Sequence, residues 1–365
     1  MKEQYFRERK QPAGLINGIR GWYYDPETVE EANREGRLLT LDYEFGSACK
    51  LRCIYCYRTE DSRDEDHLLL PFDEWKRVVD DAKDLGVKSM KLIGGGEITE
   101  EKRFLEAMEY IANNDIIIVL FTAGTVLGDE KLCRSIHGIS RQEFAQRLYD
   151  MGMSIFLKVD SFDDALQDKI AGKKGFARQR GSALELLLNM DFNAHNPTRL
   201  GLEVNVSRHN LHEILDIYRM RIQYNMYEDV VISMPCDAYF RNTNYDISLE
   251  EKKELYRQIY HFNAEHDIPV DNVSPFMGGL VCTQLGNGLY VTCRGDVFHC
   301  PGAFEHLGNV RKESLREIWQ AFHESKNHHQ TFFCPFREHT NIIPTELVEK
   351  IQKEFGFWRN NGSQT

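Results

Sequence analysis

The pattern of apolar segments between about residues 38 and 266 constrains the fold more than any other feature of the chain. Short strand-like segments, such as Leu38–Glu44, alternate with longer segments whose apolar residues recur at helical spacing, such as Phe72–Leu85. Ser140 and Ser248 each begin a capping box, which marks the start of a helix. Six successive strand–helix units predict an α/β fold with a parallel sheet, either doubly wound or curled into a partial barrel.

A change of pattern after the sixth predicted helix indicates a second, smaller unit. Leu289–Cys293 and Val297–Cys300 have the character of two short strands joined by a turn, which predicts a β-hairpin. We therefore expect four parts, namely an N-terminal extension (1–37), a parallel-sheet domain (38–270), a hairpin-and-helix domain (271–340) and a C-terminal tail (341–365).

Three closely spaced cysteines follow the first predicted strand. Cys49, Cys53 and Cys56 have C-x3-C-x2-C spacing, at the strand end where ligands of parallel sheets gather. A cubane [4Fe–4S] cluster has four irons, so three thiolates leave one iron for a ligand that is not a side chain. A structural zinc ion would need a fourth ligand at an unusual spacing. A disulfide framework fits poorly too, because the chain has nine cysteines, an odd number.

The composition excludes several classes of partner. The formal charge of −12 disfavours a nucleic acid held by phosphate neutralisation. No apolar run approaches the roughly 18 residues of a membrane span. The first residues are charged throughout and do not have the pattern of a secretion signal. We expect a cytoplasmic protein that binds neither nucleic acid nor membrane.

Two further motifs lie where a cluster-binding protein would need them. Gly94-Gly95-Gly96-Glu97 follows the second predicted strand, and its three glycines let the backbone approach a ligand closely. In the hairpin, Cys282, Gly295 and Cys300 fit the pattern C-x(9–15)-G-x4-C, with 12 residues between Cys282 and Gly295. Cys334 lies further on.

Together, these motifs resemble the radical S-adenosylmethionine (radical SAM) superfamily, in its SPASM/twitch subgroup. The resemblance implies a partial (β/α)6 barrel with a small C-terminal hairpin-and-helix domain. It also implies that Cys49, Cys53 and Cys56 hold a [4Fe–4S] cluster whose open iron binds SAM. One auxiliary [4Fe–4S] cluster is expected, with the ligands Cys282, Cys300 and Cys334, and Cys293 as an undecided fourth. Zinc stays an alternative for this second set, since four cysteines also make a zinc site.

The resemblance further implies a set of SAM contacts at the strand ends. Gly94 to Glu97 would hold the ammonium group, and Tyr55 would lie beside the adenine. Polar side chains after the fourth and fifth strands would contact the ribose and the carboxylate, although residues of these types also cap helices. These candidates are Asp160, Ser161, Asn205, Ser207 and Arg208, with a weaker contribution from Thr122-Ala123-Gly124.

The expected reaction begins with reductive cleavage of SAM to a 5′-deoxyadenosyl radical, which takes hydrogen from a substrate C–H bond. We expect net oxidation of a small molecule such as an amino sugar or cyclitol, with flavodoxin or ferredoxin as the electron donor. A maturase acting on a peptide is the alternative, as is a redox-neutral epimerase with Cys236 as hydrogen donor. A non-enzymatic carrier with two clusters also remains open. Cys133 is expected to be a buried thiol, and His323, His328, His329 and His339 to be solvated.

Overall fold

The computed structural model describes residues 18–22, 24, 26–58, 69–232, 245–266, 283–302 and 305–325. Within these residues, nine strands form one sheet. The strands are β1 (Thr40–Tyr43), β2 (Ser89–Leu92), β3 (Ile117–Thr122), β4 (Ser154–Lys158), β5 (Leu200–Val206), β6 (Tyr227–Ile232), β7 (Gly288–Val291), β8 (Asp296–Phe298) and β9 (His306–Asn309).

The helices of the described residues lie between these strands and at the two ends of the sheet. They are α1 (Pro26–Glu35), α2 (Phe72–Asp84), α3 (Phe104–Ala112), α4 (Thr125–Gly128), α5 (Glu130–His137), α6 (Arg141–Asp150), α7 (Asp164–Ala171), α8 (Phe176–Asn189), α9 (Leu211–Tyr224), α10 (Leu249–Glu265), α11 (Thr283–Asn287) and α12 (Leu315–Glu324). None of these described helices is both long enough and apolar enough to cross a membrane.

The strand order identifies the sheet as a partial barrel. The order is β6-β5-β4-β3-β2-β1-β7-β8-β9, and β1 to β6 are parallel throughout. A doubly wound sheet reverses its order at a switch point, whereas β1 to β6 follow one another without reversal. All crossovers of one hand then place their helices on the same side. The expected α/β partial (β/α)6 barrel is confirmed.

Alternate residues of each strand face opposite sides of the sheet. Leu41 and Tyr43 of β1 belong to the large core beneath the helices, together with Trp75 of α2. Asp42 lies on the other side, inside the barrel, where its carboxylate is 3.8 Å from the Lys91 ammonium group. Burial raises the pKa of Asp42 to about 6, although Lys91 opposes the shift. The barrel interior is therefore lined by charged groups.

Part of the N-terminal extension closes the amino end of the barrel. The backbone N–H of Arg20 donates to the Thr198 carbonyl (3.0 Å), and Ser154 Oγ donates to the Arg20 carbonyl (2.7 Å). The ring of Trp22 then lies 5.3 Å from Phe121 and 5.1 Å from Phe156, both inside the barrel. Aromatic packing fills this end of the barrel and leaves polar groups toward the carboxyl ends of the strands.

The C-terminal hairpin continues the barrel sheet. β7 forms a parallel pair with β1, in which Thr40 lies opposite Gly288. It also forms an antiparallel pair with β8, as the predicted hairpin requires. Because β7 runs parallel to β1, the turn after β7 lies at the carboxyl end of the barrel. α12 packs on α2, where the backbone N–H of Leu315 donates to Asp81 (3.1 Å). The two predicted units thus share one sheet.

Several helices differ from the sequence-based prediction. One helix was expected over 99–113, but a 3₁₀ turn (Ile98–Glu100) precedes α3 because the Glu97 side chain accepts the Thr99 N–H. The short helices α4, α5 and α7 were not predicted, since with 4, 8 and 8 residues they are too short to show a helical period of apolar residues. Cys133 in α5 is fully buried, as expected. His323 was expected to be solvated, but it is partly buried and its Nε2 donates to the Asn33 carbonyl (3.3 Å). The other three named histidines lie outside the described residues.

Candidate functional site

The cysteine loop, defined here as residues 44–58, crosses the carboxyl ends of the barrel strands. It is anchored to the end of α7, where the N–H groups of Arg52 and Ile54 donate to the carbonyls of Ala171 (2.9 Å) and Ile170 (3.0 Å). Gly172, at φ +63°, allows this approach because a side chain there would overlap the Arg52 carbonyl. Cys49, Cys53 and Cys56 are therefore carried by a backbone fixed between β1 and α7.

The glycine turn, residues Gly94–Gly96, supports the first half of the cysteine loop. A Cβ atom at Gly95 would overlap the Gly46 carbonyl oxygen, and one at Gly96 would overlap the Ala48 carbonyl oxygen. The Glu97 N–H donates to the same Ala48 carbonyl (2.7 Å). The sequence predicted close approach to a ligand, and the structure adds close approach of two chain segments. The turn thus fixes the distance between the cysteine loop and the end of β2.

Substitution of Gly95 should separate steric overlap from backbone strain. Gly95 and Gly138 have matching φ angles of +73° and +72°, but only at Gly95 would a Cβ atom meet described atoms within 4 Å. Both alanine variants carry the left-handed strain, about 1–2 kcal/mol. We expect Gly95→Ala to cost about 1–3 kcal/mol more, as overpacking does, and to lower iron loading. Thermal melting and iron analysis measure both, and equal values for the two variants would contradict the role of the turn.

The Glu97 carboxylate joins the ends of β2 and β3. It is buried and accepts hydrogen bonds from the hydroxyls of Thr99 and Thr122 and from the Ala123 N–H (2.7 Å). Burial raises the pKa of Glu97, and the hydrogen bonds from Thr122 and Thr99 oppose that shift. The contact between Glu97 and the ammonium group of SAM stays a prediction. In the described structure, the carboxylate connects two loops at the strand ends.

Asp160 lies at the centre of the polar groups that follow β4 and β5. Its carboxylate accepts from Tyr55 Oη (3.0 Å), from the Asn205 N–H (3.1 Å) and from Gln167 Nε2 (3.3 Å). Asp160 is fully buried. Three predicted SAM-site residues, Tyr55, Asp160 and Asn205, are therefore brought together in space although they come from three different strand ends.

Lys158 is a site residue that the sequence analysis missed. It is the last residue of β4, and its ammonium group lies 3.6 Å from Asp160 and 3.7 Å from Glu203. The same group lies 4.4 Å from the centroid of the Tyr55 ring, within cation–π range. Burial lowers the pKa of Lys158, but Asp160 and Glu203 more than compensate, so the pKa is raised. A charged lysine thus faces the cysteine loop from inside the barrel.

Burial and the charge of Lys158 have opposite effects on the pKa of the Cys53 thiol. Burial raises the pKa of Cys53, while Lys158 acts in the opposite direction. A thiolate at this position is therefore favoured by the lysine charge and disfavoured by burial. Bound iron would favour the thiolate in spite of burial, because a thiol that coordinates a metal is deprotonated.

Three other predicted contacts are used within the protein. Ser161 Oγ donates to Glu213 (2.7 Å), and Ser207 Oγ donates to Asn210 (2.9 Å). The exposed Arg208 directs Nε and Nη2 to the Asp246 carbonyl, at 3.2 and 3.0 Å. Their roles toward SAM stay predictions, and the described contacts of these side chains stabilise the loops after β4 and β5.

A buried carboxylate, Glu44, was also missed. It follows β1, and its Oε1 accepts from the hydroxyls of Tyr57 and Tyr290, while its Oε2 accepts from the Cys293 N–H (3.2 Å). Tyr57 is 43% exposed, yet its hydroxyl points inward and also accepts from the Gly95 N–H (2.7 Å). We call Glu44, Tyr57, Tyr290 and Cys293 the Glu44 cluster. It joins the cysteine loop, the glycine turn and the hairpin.

The second cysteine set is described only in part. Cys293 is nearly buried in the hairpin turn, and Cys300 follows β8, where its Sγ accepts the Gly302 N–H (3.3 Å). Burial and Glu44 raise the pKa of Cys293 to about 12. Cys282 and Cys334 lie outside the described residues, as does Cys236. Their roles stay predictions.

Two family models match the chain. Residues 43–221 match the radical SAM superfamily, and residues 282–342 match SPASM, an iron–sulfur cluster-binding domain. The chain belongs to the radical SAM superfamily and to its SPASM subgroup. Both matches imply a SAM-binding [4Fe–4S] cluster and an auxiliary cluster.

Curated relatives match over part of their length. PqqA peptide cyclase of Bradyrhizobium diazoefficiens is 26% identical over 187 residues, which are 50% of this chain and 43% of that protein. GTP 3′,8-cyclase of Staphylococcus aureus is 25% identical over 209 residues, 56% of this chain and 51% of that protein. The chain thus spans about half the length of these relatives or less.

Solved structures share the fold at low sequence identity. Streptococcus suis SuiB bound to the precursor peptide SuiA has a TM-score of 0.58 and 15% identity, with 80% of this chain and 67% of that chain covered. The protein anSMEcpe with bound AdoMet and Cp18Cys peptide has a TM-score of 0.54 and 14% identity, with 79% and 82% covered. These likenesses support the partial barrel with its C-terminal addition.

The residues of the cysteine loop fit a SAM-binding cubane. Cys49, Cys53 and Cys56 form no disulfide, and each is partly accessible. Among the described residues, no three cysteine, histidine or carboxylate side chains converge on one point, as a single zinc ion would require. A cubane needs no such convergence because each thiolate binds a different iron. The donor set and the glycine turn beneath it thus suit the cluster that the family implies.

Proposed function

We propose that the protein is a radical SAM enzyme that catalyses the net oxidation of a peptide substrate. When bound, SAM and the two clusters supply a 5′-deoxyadenosyl radical that takes a hydrogen atom from a substrate C–H bond, and an acceptor for the second electron. The observation that carries this proposal is the position of the three cysteines, on a loop pinned across the carboxyl ends of the barrel strands.

The chain's own residues would bind and orient SAM at this end of the barrel. Cys49, Cys53 and Cys56 would hold the SAM-binding cluster, and the glycine turn would present backbone groups to the ammonium group of SAM. Tyr55, within the cysteine loop, donates a hydrogen bond to Asp160, and the Lys158 ammonium group lies against its ring, so the position of the ring is fixed. A fixed aromatic ring can support the adenine without losing side-chain entropy on binding.

The barrel interior would exclude water and hold charge near the substrate. Asp42, Lys91, Lys158 and Glu203 line it, and Trp22 with its aromatic neighbours closes the amino end. A net oxidation releases one hydrogen atom, one further electron and one proton from the substrate. The interior carboxylates are the candidates to receive that proton.

A peptide is favoured over the small molecule that the sequence analysis expected. PqqA peptide cyclase is named for a peptide and matches half of this chain. A small-molecule substrate is the second candidate, supported by the match to GTP 3′,8-cyclase, named for a nucleotide. A flavodoxin or ferredoxin donor is proposed with either substrate.

A deuterated extract distinguishes the two substrate classes. Reduced protein is incubated with SAM in H₂O buffer and either the peptide fraction or the small-molecule fraction of fully deuterated cells. Because the hydrogen taken from the substrate ends in 5′-deoxyadenosine, only the fraction that contains substrate should raise the mass of that product by about one unit. We expect the shift with the peptide fraction.

Two outcomes of the same assay would overturn the proposal. A shift with only the small-molecule fraction would replace the peptide by the second candidate, and unlabelled 5′-deoxyadenosine in both would leave cleavage of SAM without the proposed oxidation.

A separate reaction in D₂O distinguishes oxidation from epimerisation. An epimerase returns hydrogen from a thiol, so its product made in D₂O would carry solvent deuterium. Deuterium incorporation that disappears in Cys236→Ala would therefore replace oxidation by epimerisation.

A further inference from the structure

The hairpin places Cys293 and Cys300 at opposite ends. Tyr290 pairs with Phe298 and Val291 with Val297, so Cys293 lies in the turn and Cys300 lies beyond the far end of β8. Gln284 Nε2 donates to the carbonyls of both Leu289 (2.9 Å) and His299 (3.2 Å), which fixes the residue before Cys300 beside the start of β7.

This separation is too long for one cluster. At about 3.3 Å per residue, β7 from Gly288 to Val291 spans roughly 10 Å, and Cys293 lies further along, in the turn. Two cysteines on the same cubane bind neighbouring corners of one small cluster, so their backbones must lie together. Cys293 and Cys300 therefore belong to different environments, one at the carboxyl end of the barrel and one toward its amino end.

The environment of Cys293 is the Glu44 cluster. Its N–H donates to Glu44 Oε2 (3.2 Å). The Cys293 carbonyl accepts the Leu70 N–H (2.8 Å), so the residue is held from both sides. Glu44 is itself buried and receives the hydroxyls of Tyr57 and Tyr290.

We propose that Cys293 is not a ligand of the auxiliary cluster but part of a positioning group, the Glu44 cluster, that holds the glycine turn. The connection runs through Tyr57, whose hydroxyl donates to Glu44 and accepts the Gly95 N–H (2.7 Å). The hairpin thereby fixes the turn proposed to receive SAM, and this inference rests on the proposed function. The auxiliary cluster has at most three cysteine ligands from the chain's predicted set.

Iron analysis of matched cysteine variants tests the first half of the proposal. The reconstituted wild type should bind about eight irons, two cubanes. Cys293→Ala should keep about eight, and Cys300→Ala about four. About four irons in Cys293→Ala would overturn the inference. About four in the wild type would instead contradict the auxiliary cluster and with it the proposed function.

SAM affinity tests the positioning role without depending on the auxiliary cluster. Tyr57→Phe removes the hydroxyl between Glu44 and Gly95, and a lost hydrogen bond of about 1 kcal/mol corresponds to about a fivefold weaker SAM binding. The control is Tyr110→Phe, which removes a hydroxyl that donates to the surface carboxylate Asp80 (2.6 Å). Equilibrium dialysis measures SAM affinity at full iron loading. Equal affinities for Tyr57→Phe, Tyr110→Phe and the wild type would overturn the positioning role.

Discussion

The triple variant Cys49→Ala/Cys53→Ala/Cys56→Ala should form no 5′-deoxyadenosine from SAM and dithionite, while it retains about four irons. The three thiolates lie on one loop, whereas Cys300 lies in the hairpin beyond β8, so loss of one set should leave the other. With its SAM-binding cluster lost, the protein has no site for reductive cleavage of SAM.

Chromatography of the products and iron analysis measure the two parts of this prediction. The matched control is Cys133→Ala, because Cys133 is a buried thiol of α5 that belongs to neither predicted ligand set. It should keep about eight irons and the wild-type yield. Residual 5′-deoxyadenosine from the triple variant would contradict the assignment of the SAM-binding cluster to this loop.

Glu97→Ala should destabilise the protein and also abolish tight SAM binding. Removing the carboxylate leaves buried hydroxyls of Thr99 and Thr122 and the Ala123 N–H without their acceptor. Each unsatisfied buried donor costs about 1–3 kcal/mol, so with three donors a total loss of at least about 3 kcal/mol is expected. The turn that precedes Glu97 would then lose its connection to β3, and SAM binding with it.

Denaturant unfolding and equilibrium dialysis separate the two contributions of Glu97. The matched control is Glu106→Ala, which removes an exposed carboxylate that is hydrogen-bonded to Arg103 at 2.6 and 2.8 Å. An exposed pair of this kind contributes about 0–1 kcal/mol. Weaker SAM binding with wild-type stability would show that Glu97 acts on SAM alone, and wild-type values of both quantities would reduce Gly94–Glu97 to an ordinary turn.

Local patterns predicted the parallel strands because each element carries its own signal. The apolar run of β3 and the helical spacing of α2 are both visible within a few residues. The pairing of β7 with β1 has no such signal, since its partners are some 250 positions apart and nothing in either segment specifies the other. The barrel, as opposed to a doubly wound sheet, was likewise predicted only by resemblance.

The residues of the candidate site likewise fall into those that sequence motifs predict and those that only the fold brings together. The cysteines and the glycine turn are contiguous motifs and could be found from sequence. Glu44 and Lys158 are single charged residues at the ends of β1 and β4, and only the barrel brings them against the cysteine loop. Conversely, Arg208 is of the right type to bind a carboxylate, but the fold directs two of its donors to the Asp246 carbonyl. The residue type shows which groups a side chain can bind, and its neighbours in the fold determine which group it contacts.

The most direct test of the central claim is reduction of the anaerobically reconstituted wild-type protein with dithionite in the presence of SAM. Iron, sulfide and zinc are determined on the same sample, and 5′-deoxyadenosine is measured by chromatography. A radical SAM enzyme with an auxiliary cluster should bind about eight irons and form 5′-deoxyadenosine that depends on both SAM and reductant. Stoichiometric zinc with no 5′-deoxyadenosine would contradict the account.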